Sequence, residues 1–343
     1  MDLRSLFPAL LLACSVGALS TGAQAASTSA HAMVVSGQAH GGVGPFGCAT
    51  SGPQAMEGHW FGSASNFLPT EGYAGCNLSG GIQNTSNLAG SSLAAQDVSH
   101  AFNNGLNTLS AAATAGFDKL GVKTTGSYTG ETNSFAYHSS EAAAYSTDTL
   151  LLPGSGAGTI QFGFSVDGSA MSFGNSQTFV YLNYELDGGP IFTAFNAITS
   201  YGTSSVSSPT GGGPVAGFTN AGASLSGSGI AYSFAHPITL GTSFDLSLGL
   251  FAASYPGSFT GVANNDFFST ARISSITILD ASGHPIDFSI TGASGTIYDA
   301  NGAHLPTAGG VPEPGTWAMM LLGFGGLGAI LRRRCGMAAS AAA

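Results

Sequence analysis

Short runs in which apolar and polar residues alternate, separated by turns of glycine, serine and aspartate, occupy the middle of the chain. A period of two sends successive side chains to opposite faces, so each run predicts a β-strand with one buried face. The predicted strands are Thr159–Val166, Gln177–Leu186, Ile191–Thr199, Gly229–Ala235, Ser243–Ala252, Ala271–Leu279 and Ile286–Ile290. Their even spacing predicts an all-β fold, an antiparallel β-sandwich of jelly-roll-like arrangement.

The alternation also predicts which side chains form the core. In two of the strands these positions are Val180, Leu182, Tyr184 and Leu186, and Phe244, Leu246, Leu248 and Leu250. Turns are predicted at 167–168, 187–188 and 280–283, where Asp and Gly supply the backbone conformations of tight connections. Residues 105–150 alternate weakly and favour strands, although 93–109 also fits a poor helix.

Composition separates a folded exported chain from a disordered one. Glycine is abundant at 52 residues, but 22 Phe and 10 Tyr provide enough apolar surface to offset the entropy of ordering the backbone. Charged residues make up 7% of the chain, against roughly 25% in an ordinary globular domain. Between the two ends the bases are Lys119, Lys123 and Arg272, too few for nucleic-acid binding.

The first 25 residues have the organisation of a signal peptide. Arg4 gives a positive start, Leu6–Leu19 is an apolar stretch too short to span about 30 Å of hydrocarbon, and Ala23-Gln24-Ala25 is a cleavage signal. Cleavage after Ala25 leaves Cys48 and Cys76 in the body of the protein. A disulfide between them would stabilise the fold by roughly 3 to 4 kcal/mol. Two buried thiols or half of a metal site are the alternatives, and no CxxC or HExxH spacing supports a metal.

The C-terminal region combines a proline breaker, an apolar span and a basic stop. Residues 311–318 read Val-Pro-Glu-Pro-Gly-Thr-Trp-Ala, an apolar stretch runs to Leu331, and Arg332, Arg333 and Arg334 follow. The prolines allow a helix to start only after them. From Trp317 to Leu331 such a helix is about 22 Å long, which is short for a membrane crossing. The arginines are expected to stay cytoplasmic, which puts the domain outside the inner membrane.

This segment resembles the sorting tail of the PEP-CTERM proteins, in the variant Pro-Glu-Pro-x-x-Trp-Ala. The resemblance assigns the sorting motif to Pro312, Glu313, Pro314, Trp317 and Ala318, and the membrane stop to the three arginines. It implies processing by the membrane-embedded protease exosortase, a Gram-negative host that makes exopolysaccharide, and a transient membrane anchor. The chain departs from the family pattern by continuing past the arginines, from Cys335 to Ala343.

Two stretches inside the chain carry a weaker resemblance to the same family. The region 105–150 is similar to the Ala- and Ser-rich first sheet of many PEP-CTERM passenger domains, and 266–283 is similar to their last strands. A plain single-span membrane anchor is the alternative for the tail, and it leaves the Pro-Glu-Pro and Trp-Ala pattern to chance.

Catalytic constellations are weak in this sequence. Glu185 and Asp187 alternate onto one predicted exposed strand face about 7 Å apart, a spacing that suits an inverting glycosidase. Two carboxylates on a solvated strand face beside a Gly-Gly turn are, however, far more often plain surface residues. His138 and Glu141 are three apart, which sends them to opposite faces of a strand. Nothing near Glu57 and His59 completes a triad or a metal site, so we predict no catalytic residues, metal or cofactor.

The sequence therefore divides into six parts: a signal peptide (1–25), an N-terminal region with the cysteine loop (26–104), a β-sandwich domain (105–290), a linker (291–310), the sorting segment (311–334) and a tail (335–343). A second Gly- and Ser-rich stretch, 201–229, is predicted to be a surface loop. The expected function is structural, in a cell surface, matrix or biofilm.

Two other functions compete with this expectation. One is a carbohydrate- or calcium-binding module, for which Trp60, Phe61 and Tyr73 are the aromatic candidates, although packing against the disulfide explains them as well. The other is a secreted glycoside hydrolase.

Overall fold

The computed structural model describes residues 26–40, 77–78, 82–90, 93–102, 107–129, 136–174, 176–200, 202–210, 215–256 and 260–306. Their secondary structure is entirely β, which confirms the predicted all-β antiparallel fold, while the jelly-roll arrangement stays a prediction. Within these ranges no helix is long and apolar enough to cross a membrane. The signal peptide, the C-terminal helix and the cysteine loop lie outside the described residues.

The strands in chain order are β1 (Ser27–His40), β2 (Asn77–Leu78), β3 (Ile82–Gly90), β4 (Ala94–Phe102), β5 (Asn107–Ala115), β6 (Leu120–Tyr128), β7 (Ala136–Leu151), β8 (Gly156–Gly174), β9 (Gln177–Leu186), β10 (Phe192–Ser200), β11 (Thr203–Ser207), β12 (Phe218–Ala221), β13 (Ser224–Tyr232), β14 (His236–Leu240), β15 (Ser243–Tyr255), β16 (Gly261–Asp280), β17 (Ser289–Thr291), β18 (Ile297–Asp299) and β19 (Gly302–His304).

Two antiparallel sheets of eight strands face each other. The first has the order β11-β10-β9-β15-β7-β1-β2, with β3 also paired to β1, and the second has the order β12-β13-β8-β16-β6-β5-β4, with β14 also paired to β8. One hydrophobic core contains side chains of both sheets. The predicted core positions of β9 and β15 are confirmed, since all eight lie in or against this core, with Leu186 half-buried.

Small residues fill the core where the sequence alternates weakly. Ala111 and Ala113 of β5 and Ala142 and Ala144 of β7 are buried, as are alanines of β1. A polar network lies nearby between the sheets, where Thr124 and Ser254 hydroxyls are 2.7 Å apart. Asn265 Nδ2 donates to Thr124 Oγ1 at 3.0 Å and to the Ala253 carbonyl at 2.8 Å. Residues 93–109 belong to strands wherever they are described, so the alternative of a helix is wrong there.

Two stretches predicted to lack strands contain them. The stretch 201–229 includes β11, β12 and the start of β13. β11 and β12 lie at sheet edges, where few large apolar residues are needed. The stretch 291–310 includes most of the separate three-stranded sheet β17-β18-β19. The sandwich also begins earlier than residue 105, because β1 pairs with β7 along twelve residues and β4 pairs with β5.

A buried carboxylate helps to fasten the three-stranded sheet to β7, beside a backbone hydrogen bond from the Ala293 N–H to the Thr149 carbonyl at 3.0 Å. Asp148 is 2% exposed and accepts hydrogen bonds from Ser294 Oγ at 2.5 Å and from Tyr298 Oη at 2.9 Å. The backbone N–H groups of Ser294 and Thr149 also donate to Asp148 Oδ1, at 2.9 and 3.0 Å. Burial, together with the charge of Asp148, raises the pKa of Tyr298.

Two of the three predicted turns are confirmed. Asp187 and Gly188 have φ values of 54° and 65°, and the Gly189 N–H donates to the Leu186 carbonyl at 2.9 Å, as in a type I′ turn. The Gly283 N–H donates to the Asp280 carbonyl at 2.9 Å. The turn predicted at 167–168 is wrong, because both residues lie inside β8 and continue its pairing with β13.

Candidate functional site

The residues with the most specific sequence signal lie outside the described ranges. This holds for the sorting motif Pro312, Glu313, Pro314, Trp317 and Ala318, for the basic stop Arg332–Arg334, and for Cys48 and Cys76. The aromatic candidates Trp60, Phe61 and Tyr73 also fall there. A candidate site in the described residues therefore has to come from the two sheets.

The carboxylate pair Glu185 and Asp187 does not share a solvated strand face. Glu185 is 6% exposed on β9, and burial raises the pKa of its carboxyl. Asp187 is exposed in the following turn, where its Oδ1 accepts from the Asp245 N–H at 2.8 Å and its own N–H donates to the Asp245 carbonyl at 2.9 Å. The expectation of two exposed carboxylates on one strand is wrong, because Glu185 is buried on β9 and Asp187 lies in a left-handed turn outside the alternation of the strand.

His138 and Glu141 lie on opposite faces of β7, as their spacing predicts. Both are buried, at 5% and 3% exposure. The His138 ring lies against the Tyr128 ring with centroids 4.2 Å apart, and burial lowers the pKa of His138 to about 4. Glu141 Oε1 accepts from Tyr255 Oη at 3.4 Å. The two groups are therefore not arranged to act together.

Metal ligation and acid–base chemistry find little support in the two sheets. Across the described ranges, no group of three His, Cys, Asp or Glu side chains is placed to hold a metal ion. Tyr184 Oη and His236 Nε2 are hydrogen-bonded at 2.8 Å between the sheets, where burial raises the pKa of Tyr184 to about 12 and lowers that of His236. Both changes favour the neutral forms, and the hydrogen bond between the two side chains joins the two sheets.

The outer surface of the second sheet has a different character. We call it the hydroxyl face, because short hydroxyl side chains occupy outward positions on five of its strands. Its members on β5, β6, β8, β13 and β16 are Thr108, Ser110, Thr125, Ser127, Ser165, Ser169, Ser226, Ser228 and Thr277. Ser110 and Thr125 are hydrogen-bonded at 2.6 Å across β5 and β6. A Ser or Thr hydroxyl can both donate and accept a hydrogen bond. The hydroxyl face is therefore suited to contact a ligand that itself carries many hydroxyl groups.

Charges on the hydroxyl face are few and nearly balanced. Lys123 Nζ and Asp266 Oδ2 form an ion pair at 2.7 Å, with both side chains about half exposed. Arg272 Nε donates to Ser165 Oγ at 3.1 Å. Burial raises the pKa of Asp167, and the charge of Arg272 opposes that rise. The exposed ion pair of Lys123 and Asp266 contributes little to stability and adds no net charge to the face.

Large apolar side chains are exposed on the same face. Ile230 and Tyr232 of β13 are each 47% exposed, and Phe173 of β8 is 69% exposed. The sequence predicts a strand at 229–235 but not this orientation, because alternation alone would place the largest side chains inward. The structure places Ala231 and Ser233 inward instead, and Ser233 Oγ accepts from the Phe162 N–H at 2.9 Å.

Comparison with known proteins identifies the tail. A family model described as the PEP-CTERM protein-sorting motif matches residues 310–334. A search of curated proteins finds no match. The match confirms the predicted sorting motif, and it indicates an exported protein that is anchored transiently in a membrane and processed by exosortase.

Proposed function

We propose that this PEP-CTERM protein is a structural component of the cell surface or extracellular matrix of a Gram-negative bacterium, associated with exopolysaccharide and without catalytic activity of its own. The observation that carries the proposal is the sorting motif at 310–334, which follows a β-sandwich and a small three-stranded sheet whose last strand ends at His304. A chain with this order is delivered outside the cell as a folded body that loses its anchor.

The hydroxyl face supports association with polysaccharide. It presents many short donors and acceptors on a broad sheet, with little net charge. Single hydroxyl contacts with a hydrated sugar polymer are weak, because each replaces a hydrogen bond to water. Repetition along several strands adds such contacts together, which suits a protein that is embedded in a polymer matrix.

Two other functions have less support. For a hydrolase, the best carboxylate pair is divided between a buried strand position and a turn. For a calcium-binding module, the described residues contain no cluster of acidic ligands. A carbohydrate-binding module remains compatible with the matrix role, since binding and structural support are then parts of the same function.

Exosortase processing can be tested by replacing Pro312, Glu313 and Pro314 together with alanine in the native host. We expect export to continue and cleavage to fail, so that a species heavier by the span and basic tail accumulates in the inner membrane. The wild type is expected at the surface or in the medium. Cell fractionation and intact-mass measurement report both results. The matched control is Pro306→Ala, which removes a proline just before the motif and should be processed normally.

Two outcomes would contradict processing by exosortase. If mature wild-type protein still contains Trp317 to Arg334, the tail is a plain anchor and the proposed processing does not occur. If the triple variant and the wild type fractionate identically, the Pro-Glu-Pro segment has no role in sorting.

The disulfide is a separate prediction. We expect Cys48 and Cys76 to be joined in the exported protein, because both remain after cleavage at Ala25 and the body has no other cysteine. Peptide mass spectrometry without reduction should recover the linked pair. Replacing both residues with serine is expected to lower the free energy of unfolding by about 3 kcal/mol. Two free thiols in protein from the native envelope would contradict the prediction.

A further inference from the structure

Two large apolar side chains are held side by side on the hydroxyl face. Ile230 and Tyr232 point outward from β13, and Gly163 lies opposite Tyr232 on β8. A Cβ atom at Gly163 would lie 3.2 Å from Tyr232 Cε1 and 3.5 Å from Ile230 Cγ2, and it would collide with Ser275 Oγ. Both side chains therefore pack over the glycine backbone, which restrains them while leaving almost half of each exposed.

A row of polar side chains borders this apolar pair. Ser165 of β8 lies opposite Ile230 on one side and opposite Arg272 of β16 on the other, so one row crosses three strands. Arg272 is fixed by its Nε hydrogen bond to Ser165 Oγ at 3.1 Å. Asp167 is two residues beyond Ser165 and faces the same side. The row and the neighbouring Asp167 together provide a guanidinium donor, a carboxylate acceptor and a hydroxyl beside the apolar pair.

This combination matches the chemistry of a sugar ring. A pyranose has an apolar face of C–H groups, which packs on an aromatic ring, and a rim of hydroxyls, which both donate and accept hydrogen bonds. Tyrosine offers an apolar ring with a polar end, and hydrogen bonds to charged groups are stronger than neutral ones. We propose that Ile230, Tyr232, Ser165, Asp167 and Arg272 form a binding site for a neutral saccharide chain.

The charges favour a neutral ligand over an acidic one. Arg272 and Asp167 offset each other within the site, and the chain as a whole has a formal net charge of −10. A polyanion would meet repulsion from the rest of the protein with no excess positive charge at the site. A membrane surface is disfavoured for the same reason, since binding to anionic lipids needs clustered cations.

A second protein is a poor fit to this patch. Stable protein interfaces bury roughly 1,200 to 2,000 Å² in total, with a hydrophobic centre. Two half-exposed side chains, bordered by the charged side chains of Arg272 and Asp167, offer far less apolar area. A saccharide contacts a few side chains in each sugar unit, so a patch of this size is sufficient for it.

The proposal relies on the proposed function only for the source of the ligand, the matrix into which the chain is sorted. Its test uses protein purified from the native host, either from the medium or, if it is not processed, from the membrane fraction, and affinity electrophoresis in gels containing a soluble β-1,3-glucan, a β-1,4-mannan, dextran or alginate. We expect at least one neutral polymer to retard the wild type. Tyr232→Ala should weaken that binding at least tenfold, and Arg272→Gln and Asp167→Asn should weaken it several-fold.

The matched control is Phe173→Ala, which removes a more exposed aromatic ring from the same sheet, away from the polar row, and should bind as the wild type does. Circular dichroism and the unfolding midpoint establish that every variant is folded. The proposal is overturned if no neutral polymer retards the wild type, if alginate retards it more strongly, or if Phe173→Ala and Tyr232→Ala lose binding equally. It is also overturned if sedimentation shows self-association that Tyr232→Ala abolishes.

Sorting and binding can fail independently. Tyr232→Ala should be processed and released like the wild type, because the change is far from the sorting motif in sequence. Conversely, a failure of exosortase processing would leave the retardation of purified protein unchanged. The two measurements therefore separate the saccharide site from the proposed function.

Discussion

Replacing Asp148 with alanine is expected to lower the free energy of unfolding by about 3 kcal/mol or more, and to release the three-stranded sheet from β7. The side chain accepts hydrogen bonds from Ser294 and Tyr298, and its removal leaves the Tyr298 hydroxyl buried without this acceptor. Leaving a buried donor unsatisfied costs about 1 to 3 kcal/mol for each group, and hydrogen bonds to a charge lie at the upper end. Urea unfolding measures the total loss, and hydrogen exchange at residues 289–304 measures the local release.

A matched control separates this effect from the loss of any carboxylate. Asp266→Ala also removes an aspartate bonded to a distant residue, but its partner Lys123 and Asp266 itself are about half exposed. Exposed ion pairs contribute about 0 to 1 kcal/mol, so this variant should be almost as stable as the wild type. Equal losses in the two variants would show that Asp148 is not a special fastening point.

Acid is expected to destabilise the protein through His138. Burial lowers the pKa of His138 to about 4 in the folded state, against 6.5 in the unfolded chain. The unfolded chain therefore binds the proton first as the pH falls. The contribution of His138 to the free energy of unfolding is fully present above pH 6.5. It is lost progressively as the pH falls from about 6.5 to 4, and the total loss is about 3 kcal/mol. Chemical unfolding at a series of pH values measures this slope.

The control for this pH dependence is His138→Phe, which keeps an aromatic ring against Tyr128 and removes the titrating group. The variant should lose most of the slope between pH 6.5 and 4. A smaller slope should remain, because burial also lowers the pKa of His236. NMR titration of the wild type provides a direct check, and a His138 pKa near 6.5 in the folded protein would contradict the prediction.

The sequence predicts strands well where large side chains alternate. In β9 and β15 every second residue is a large apolar residue, and the structure buries these positions. Prediction is weaker where alanine takes the inner position and serine or threonine the outer one, as in β5, because these residues differ little in size. It fails in β11 and β12, since exposed edge strands need no apolar face.

The candidate site could be predicted less well than the fold. The sequence predicts a strand around Tyr232, but it does not predict which side of that strand faces solvent. Large apolar residues usually lie inside, whereas in this strand Ile230 and Tyr232 lie outside. Arg272 and Ser165 are 107 positions apart in the chain, and only the pairing of β16 with β8 brings them together. A single sequence contains no local signal for that register. The sorting tail is the opposite case, since its information is contiguous and needs no folded partner.

The pairing of distant strands also sets a timescale for folding. Lys123 of β6 forms an ion pair with Asp266 of β16, which lies 143 positions later, and Ser27 of β1 pairs with Thr147 of β7. Non-local pairing of this kind folds slowly, in milliseconds to seconds, because long loops must close before any contact stabilises them. A newly exported chain spends that time with open sheet edges that can pair with neighbouring chains. If the anchor keeps each chain at the membrane during this interval, we expect early exosortase cleavage to release chains that are still prone to aggregate, and late cleavage to release folded ones.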